Sequence, residues 1–543
     1  MSAPKRWLLL ALPMAFLALF FVWPVTNIIG EGLRGDDGWD LSGVGTVLRD
    51  PALRRVAWFT LWQAAASTGL TLLVALPAAH ALATFEFRGR RVVQALVTVP
   101  FVLPTVVVAA AFLALLGPNG PLGVDLAHSV WAILLAHAFF NHAVVVRTVG
   151  AVWEGLDPRV EDAARVLGAS RWQAVREVTV PALRPAIASA AVITFLFTFT
   201  SFGVVRILGS ARHSTLEVEI YRQTADLLDL PVASVLALLQ LVAVGVLLVV
   251  QDRLERRRAH VGVSLTTMRR RPTSSAWEGV WLRGNLVLMA ALLVVPLAVL
   301  VERSFRSGNG HGLAAWRALV DTSPGSGLFV SPLEAVANSV RYAVIATSIA
   351  IVVGGLAAVA LSTSRSRVAR ALDAALVLPL GTSAVTVGFG FLIALDRPVD
   401  LRASPWLVPL AQALVALPFV VRTMTPVLRS IDQRLREAAA VLGASPARVW
   451  REVDLPLVRR AVLVAAGFAF AISMGEFGAT TVIARADAPT VPIAIDRLLG
   501  RPGSLNVGQA FALSVVLMIL TAIAVLLVDR ARRPHDRSAG GWL

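Results

Sequence analysis

The chain has 543 residues, 57% of them hydrophobic and only 15% charged, with a mean hydropathy of +0.72 and a formal net charge of +16. A soluble chain carries roughly 25% charged residues, so the apolar surplus has to be buried in something other than the chain's own core, and lipid is the medium that fits. Disorder, a collagen-like fibre and a disulfide scaffold are excluded, and the absence of Cys removes thiol catalysis, Cys-ligated zinc and iron–sulfur clusters.

Lys5 is the only lysine, and no glycine precedes it. A phosphate-binding loop of the G-x-x-x-x-G-K-[ST] type is therefore missing, and ATP hydrolysis is not expected of this chain itself. The first apolar run, near 7–29, follows Lys5 and Arg6. It is too long for a signal-peptide core and lacks an A-x-A cleavage site, so it is read as a retained span. Further spans are predicted near 57–83, 91–116, 129–150, 187–209 and 233–250, then near 281–301, 338–362, 370–395, 405–428, 461–484 and 507–528, about twelve in all.

An even number of spans puts both termini on one side. With the N-terminus inside, the inner segments are 84–90, 147–186, 251–280, 363–369, 429–460 and the tail beyond 528. With the N-terminus and span ends they hold about 34 of the 50 Lys and Arg. Clusters such as Arg88, Arg90 and Arg91, Arg256 to Arg258, Arg269 to Arg271, and Arg530, Arg532 and Arg533 flank apolar spans. They explain the basic excess without nucleic acid, for which no recognition module is present.

The chain repeats itself. Residues 156–187 read LDPRVEDAARVLGASRWQAVREVTVPALRPAI, and 431–462 read IDQRLREAAAVLGASPARVWREVDLPLVRRAV, at a constant offset of 275. Val146-Arg147-Thr148 upstream and Phe202-Gly203 downstream recur at the same offset. The expected fold is an all-α polytopic membrane protein of two parallel six-helix repeats, 1–250 and 281–543, joined by a basic inner linker at 251–280. Asp157-Pro158 and Asp432 are expected to cap a helix, Gly168 and Gly443 to stop it, and Ser170 and Ser445 to start a second one that Pro181 and Pro456 end. Each repeat thus presents a helix–Gly–helix elbow, with Ala163-Ala164 and Ala438-Ala439 allowing close approach beside Asp162 and Glu437. An amphipathic pair lying on the inner leaflet is the plainer reading. Duplication of cap, acid, Ala-Ala, Gly and Pro points instead to a two-fold partner.

The pattern E-A-A-x-x-x-G followed by Leu-Pro resembles the signature of permease subunits of binding-protein-dependent ABC importers. Glu437-Ala438-Ala439, Gly443 and Leu455-Pro456 match it in full; Asp162 and Val180-Pro181 replace two elements in the first copy. The resemblance spans both halves and implies a fused two-domain permease of the inner membrane, not an enzyme and without a bound cofactor. It implies two ATPase subunits gripping the elbows through Asp162, Ala163, Ala164, Gly168, Glu437, Ala438, Ala439 and Gly443. It also implies an extracytoplasmic binding protein on the outer loops near 30–56, 210–232, 302–337 and 485–506.

Within that family, the runs at 137–141 (HAFFN), 201–203 (SFG), 215–221 (TLEVEIY) and 473–478 (SMGEFG) resemble the thiamine and ferric-iron permeases, with the first and third favouring thiamine over ferric iron. Glu476 sits deep in its predicted span between two glycines, where a carboxylate is expensive. It is read either as part of a cation pathway with Phe477, Ser201 and Phe202, or as a structural hydrogen-bonding group or arginine partner. His137 and Asn141 share a helix face and fit interhelical hydrogen bonding better than metal ligation. A twelve-span secondary transporter is the rival reading: Phe87-Arg88-Gly89-Arg90-Arg91 partly resembles the G-x-x-x-D-R-x-G-R-R loop of that superfamily, but lacks its leading glycine and Asp-Arg pair.

Overall fold

A computed structural model describes residues 3–35, 38–40, 42–259, 270–307, 310–322, 325–362, 382–396 and 400–531, with short stretches between 372 and 379. The middle of the linker at 260–269, the tail beyond 531 with Arg532 and Arg533, and much of the predicted ninth span lie outside the described residues.

Among those described, ten helices are long and apolar enough to cross a membrane. Two further predicted spans take other forms. The third is a pair of helices, Arg90–Val102 and Thr105–Leu116, bent by 106°. The bend falls at Leu103-Pro104, where proline withholds an N–H and the residue before it is driven to extended backbone, here with Leu103 at φ −68° and ψ 139°. Of the ninth, the Ala384–Ala394 helix is described, too short to span alone.

The helices gather into two compact units that do not follow chain order: residues 48–219 with 239–303, and residues 1–47 with 220–238 and 304–543. In the first unit, Pro51–Thr84 packs along Val130–Glu154, Val180–Phe199 lies against both, and Ala276–Leu293 packs on Pro51–Thr84 and Arg90–Val102. In the second, Pro332–Ser362 packs on Leu407–Ser430 and Leu455–Gly475, and Ser504–Ala531 on Leu455–Gly475. Small residues set the spacing there. A Cβ on Gly354 would stand 2.8 Å from Val420 Cγ1, and one on Gly478 would stand 2.9 Å from Ala384 Cβ.

The opening span belongs to this second unit. Ala3–Leu17 packs on Pro332–Ser362, and Trp23–Leu33 packs on Ala384–Ala394. Trp23 Nε1 donates to Ala394 O at 3.0 Å, and Phe16, Leu17, Phe21 and Ile28 are buried. The first span of each repeat is thus housed with the helices of the other repeat.

Structure extends the repeat beyond what the sequence displays. Each first span ends in a two-residue antiparallel ribbon, Arg34–Gly35 with Gly38–Trp39 and Arg306–Ser307 with Gly310–His311. These elements stand 272 residues apart, whereas the elbows stand 275 apart, because loop lengths differ between the halves.

Candidate coupling elbows and broken spans

The elbow forms in both repeats from the same local chemistry. Asp157 accepts the N–H of Arg159 at 3.0 Å to start Pro158–Val166, and Asp432 accepts that of Arg434 at 3.0 Å to start Gln433–Val441. Both helices stop at a left-handed glycine, Gly168 at φ 97° and Gly443 at φ 81°. The N–H groups that follow return to the last turn, from Ala169 to Ala164 O at 3.1 Å and from Ala444 to Ala439 O at 3.0 Å. Ser170 and Gln173 then form the expected reciprocal capping box, while Ser445 accepts from Arg448.

The second elbow helix does not end at its proline. Arg171–Ala174 runs through a π turn, Val175–Thr179, into Val180–Phe199; Pro446–Val449 runs through Trp450–Asp454 into Leu455–Gly475. The N–H of Val180 reaches Val175 O and that of Leu455 reaches Trp450 O. This wider turn leaves room for the rings of Pro181 and Pro456, which would otherwise strike the carbonyl four residues back. The elbow is therefore continuous with the span that follows it.

Asp162, Ala163, Gly168, Glu437, Ala438 and Gly443 are exposed, and Ala164 and Ala439 are half-buried. Beside them stand residues that the sequence reading passed over. Val166 and Leu167 are 87% and 89% exposed, and Val441 and Leu442 are both 87% exposed. A bare Val-Leu pair at a glycine stop, twice at one offset, is an apolar knob fit for a partner. The duplicated Val-Leu-Gly string was the available signal.

Two side-chain contacts close the elbows. Thr179 Oγ1 donates to Glu161 at 3.1 Å in the first repeat, and Arg436 Nε donates to Asp454 at 2.8 Å in the second. Neither was singled out by the sequence, because they lie on opposite sides of a turn.

The spans that follow the elbows are broken at equivalent points. Val180–Phe199 stops before Ser201 and a short helix, Gly203–Leu208, follows; Leu455–Gly475 stops at Glu476, and Gly478–Ile483 follows. Spans expected to reach 209 and 484 are thus interrupted, and Glu476 lies at the interruption rather than inside a continuous span. Its carboxylate accepts the N–H groups of Ala479 at 2.7 Å and Thr480 at 3.0 Å. It therefore supplies the acceptors that the first turn of the short helix needs.

In the first repeat the counterpart is Ser201. One ring nitrogen of His137 lies 2.9 Å from Ser201 Oγ and the other 3.0 Å from Ser67 Oγ. A neutral imidazole donates at one nitrogen and accepts at the other, so His137 ties the break to two long helices. Asn141 donates to His137 O at 3.0 Å. Ser201, Phe202, Glu476 and Phe477 are all buried. Glu217 and Glu219, from the run at 215–221, are buried as well, and Gln240 donates to Glu217.

The family of binding-protein-dependent transport system inner membrane components matches residues 71–260 and 350–534. The thiamine transport system permease protein ThiP of Brucella abortus (strain 2308) is 29% identical over 503 residues, covering 89% of this chain and 88% of that one. ThiP of Escherichia coli (strain K12) is 27% identical, covering 88% and 90%. A crystal structure of a bacterial alginate ABC transporter in complex with alginate pentasaccharide-bound periplasmic protein aligns over 49% of this chain and 98% of its own, at 20% identity and a TM-score of 0.37.

Proposed function

The chain belongs to the family of binding-protein-dependent transport system inner membrane components, and from that premise we propose that it passes thiamine across the inner membrane. It is a multi-pass permease subunit of an ABC importer, with a binding protein as partner. In our reading the binding protein presents its cargo on the outer loops. Two copies of a separate ATPase seat on the elbows from the cytoplasm, where both termini also lie.

The observation that carries this reading is the pair of elbows: in each repeat a capped, glycine-stopped helix presents a bare Val-Leu pair, and the second elbow helix after the glycine is continuous with a span. Movement of the second elbow helix has to move the span, because the π turn joins them without a loop. The lone lysine supports a separate ATPase. Likeness to ThiP over most of the chain supports thiamine. We read the interrupted spans at Ser201-Phe202 and Glu476-Phe477 as the cargo route, since broken helices within a membrane belong where they are buried in protein or line a cavity.

The test is uptake of labelled thiamine by cells with and without this chain, the ATPase and binding protein left in place. Loss of uptake on deletion is expected. Unchanged thiamine uptake with loss of ferric-iron uptake would overturn the thiamine assignment in favour of the other cation and leave the importer reading standing.

A further inference from the structure

The two elbows are braced at the same place by different chemistry. The 275-residue offset pairs Glu161 with Arg436 and Thr179 with Asp454. In each repeat the brace joins the fourth residue of the exposed helix to the last residue of the π turn at the base of the span. Hydroxyl meets carboxylate in the first repeat, at 3.1 Å; guanidinium meets carboxylate in the second, at 2.8 Å. Charge on both partners makes the second contact the stronger. It is also sheltered: the Asp454 side chain is 10% exposed and that of Arg436 is 23% exposed, so water weakens it little.

Elbow residues are otherwise largely exposed, so packing does little to hold the first helix against the second. The glycine stop supplies direction but no resistance to bending. The brace is what turns helix, turn and span base into one closed body.

We propose that Glu161–Thr179 and Arg436–Asp454 are positioning residues that make each elbow move rigidly with its span, and that the ionic brace makes the second elbow the stiffer lever. Force applied to the second elbow then reaches its span with less loss than force applied to the first. This rests on the reading of the elbows as the ATPase seats.

The experiment uses the full chain with its ATPase and binding protein in proteoliposomes, following ATP hydrolysed per labelled thiamine taken up. Arg436→Ala and Asp454→Ala should each raise that ratio about fivefold, within the range of couplings between contacting side chains, with the amount of retained ATPase unchanged. The exchanged pair Arg436→Asp with Asp454→Arg should return the ratio to within about twofold of the parent. Glu161→Ala should have the smaller effect. Where Asp454→Ala does not insert, Asp454→Asn keeps the shape, loses the charge and carries the same expectation.

Parent ratios in the single variants, an exchanged pair no better than either single change, or a larger effect from Glu161→Ala would each overturn the proposal. A parent chain that retains no ATPase overturns the coupling reading and the brace with it. A parent that retains ATPase but takes up no thiamine overturns only the cargo assignment, and hydrolysis stimulated by the binding protein then reads the braces.

Discussion

A carboxylate at the depth of Glu476 needs compensation, and the structure supplies it locally: both oxygens accept backbone N–H groups at the start of the Gly478–Ile483 helix. Glutamine at this position keeps one acceptor and turns an amide donor toward the other N–H. Glu476→Gln should therefore cost about 1–3 kcal/mol, the penalty for leaving a buried donor unpaired, and slow cation uptake while ATPase retention persists. Thermal melting and uptake check this together; a destabilised variant with parental uptake would make Glu476 a structural group alone. Gly443, at φ 81°, is constrained in another way. Any side chain there costs about 1–2 kcal/mol in the left-handed region. Gly443→Val should misdirect the elbow and lower uptake about tenfold in a chain that still inserts, a loss equivalent to about 1.4 kcal/mol and so within that strain.

At the scale of the element, the elbow is defined as much by what it leaves bare as by its caps. Val441 and Leu442 together replaced by Ser should abolish co-purification of the ATPase without altering the caps, since the exposed pair contributes apolar area that only a partner can bury. Glu437→Ala should instead preserve retention and uncouple hydrolysis from uptake. Retention of ATPase by the double Ser variant would remove the Val-Leu pair from the docking surface. A second element joins the linker to the first repeat. Arg271 pairs along the backbone with Phe85, Glu86 N–H donates to Arg271 O at 3.0 Å, and the Arg271 guanidinium holds both oxygens of Glu278 at 2.8 and 2.7 Å. Those bonds to Glu278 hold the Arg271 guanidinium above the ordinary arginine range. Arg271→Ala should speed hydrogen exchange at the Glu86 and Arg271 backbone amides by about tenfold, corresponding to roughly 1.4 kcal/mol of local opening. Exchange at the parental rate would mean the strand pairing holds by itself.

Across the whole molecule, the exchange of first spans binds the halves of the chain together. Residues 3–33 pack with helices of the second repeat, and Ala276–Leu293 packs with those of the first. Cutting the chain within 260–269 and co-expressing the pieces should yield fragments that co-purify in detergent. Removing residues 1–33 from the first piece should weaken that recovery sharply. Independent purification of the intact fragments would show that the exchanged packing does not hold them.

Much of this was legible in the sequence. Two repeats, the membrane spans, the capped elbows and the glycine stops follow from hydropathy, from a constant offset and from Asp, Ser and Gly at helix ends, all of which act over a few residues. The route from elbow to span was misread, because Pro181 and Pro456 stop an α-helix but are accommodated by the π turn ahead of them. The spans at 187–209 and 461–484 looked continuous because hydropathy does not register a break that Glu476 or the His137–Ser201 contact stabilises. The braces and the exchanged first spans were decided by tertiary structure alone, as was the exposure of the Val-Leu pairs, although their duplication stands in the sequence. In lipid a helix is apolar on every side, so periodicity does not mark which face meets a neighbour. Shape, small residues and a few hydrogen bonds between distant positions make that choice.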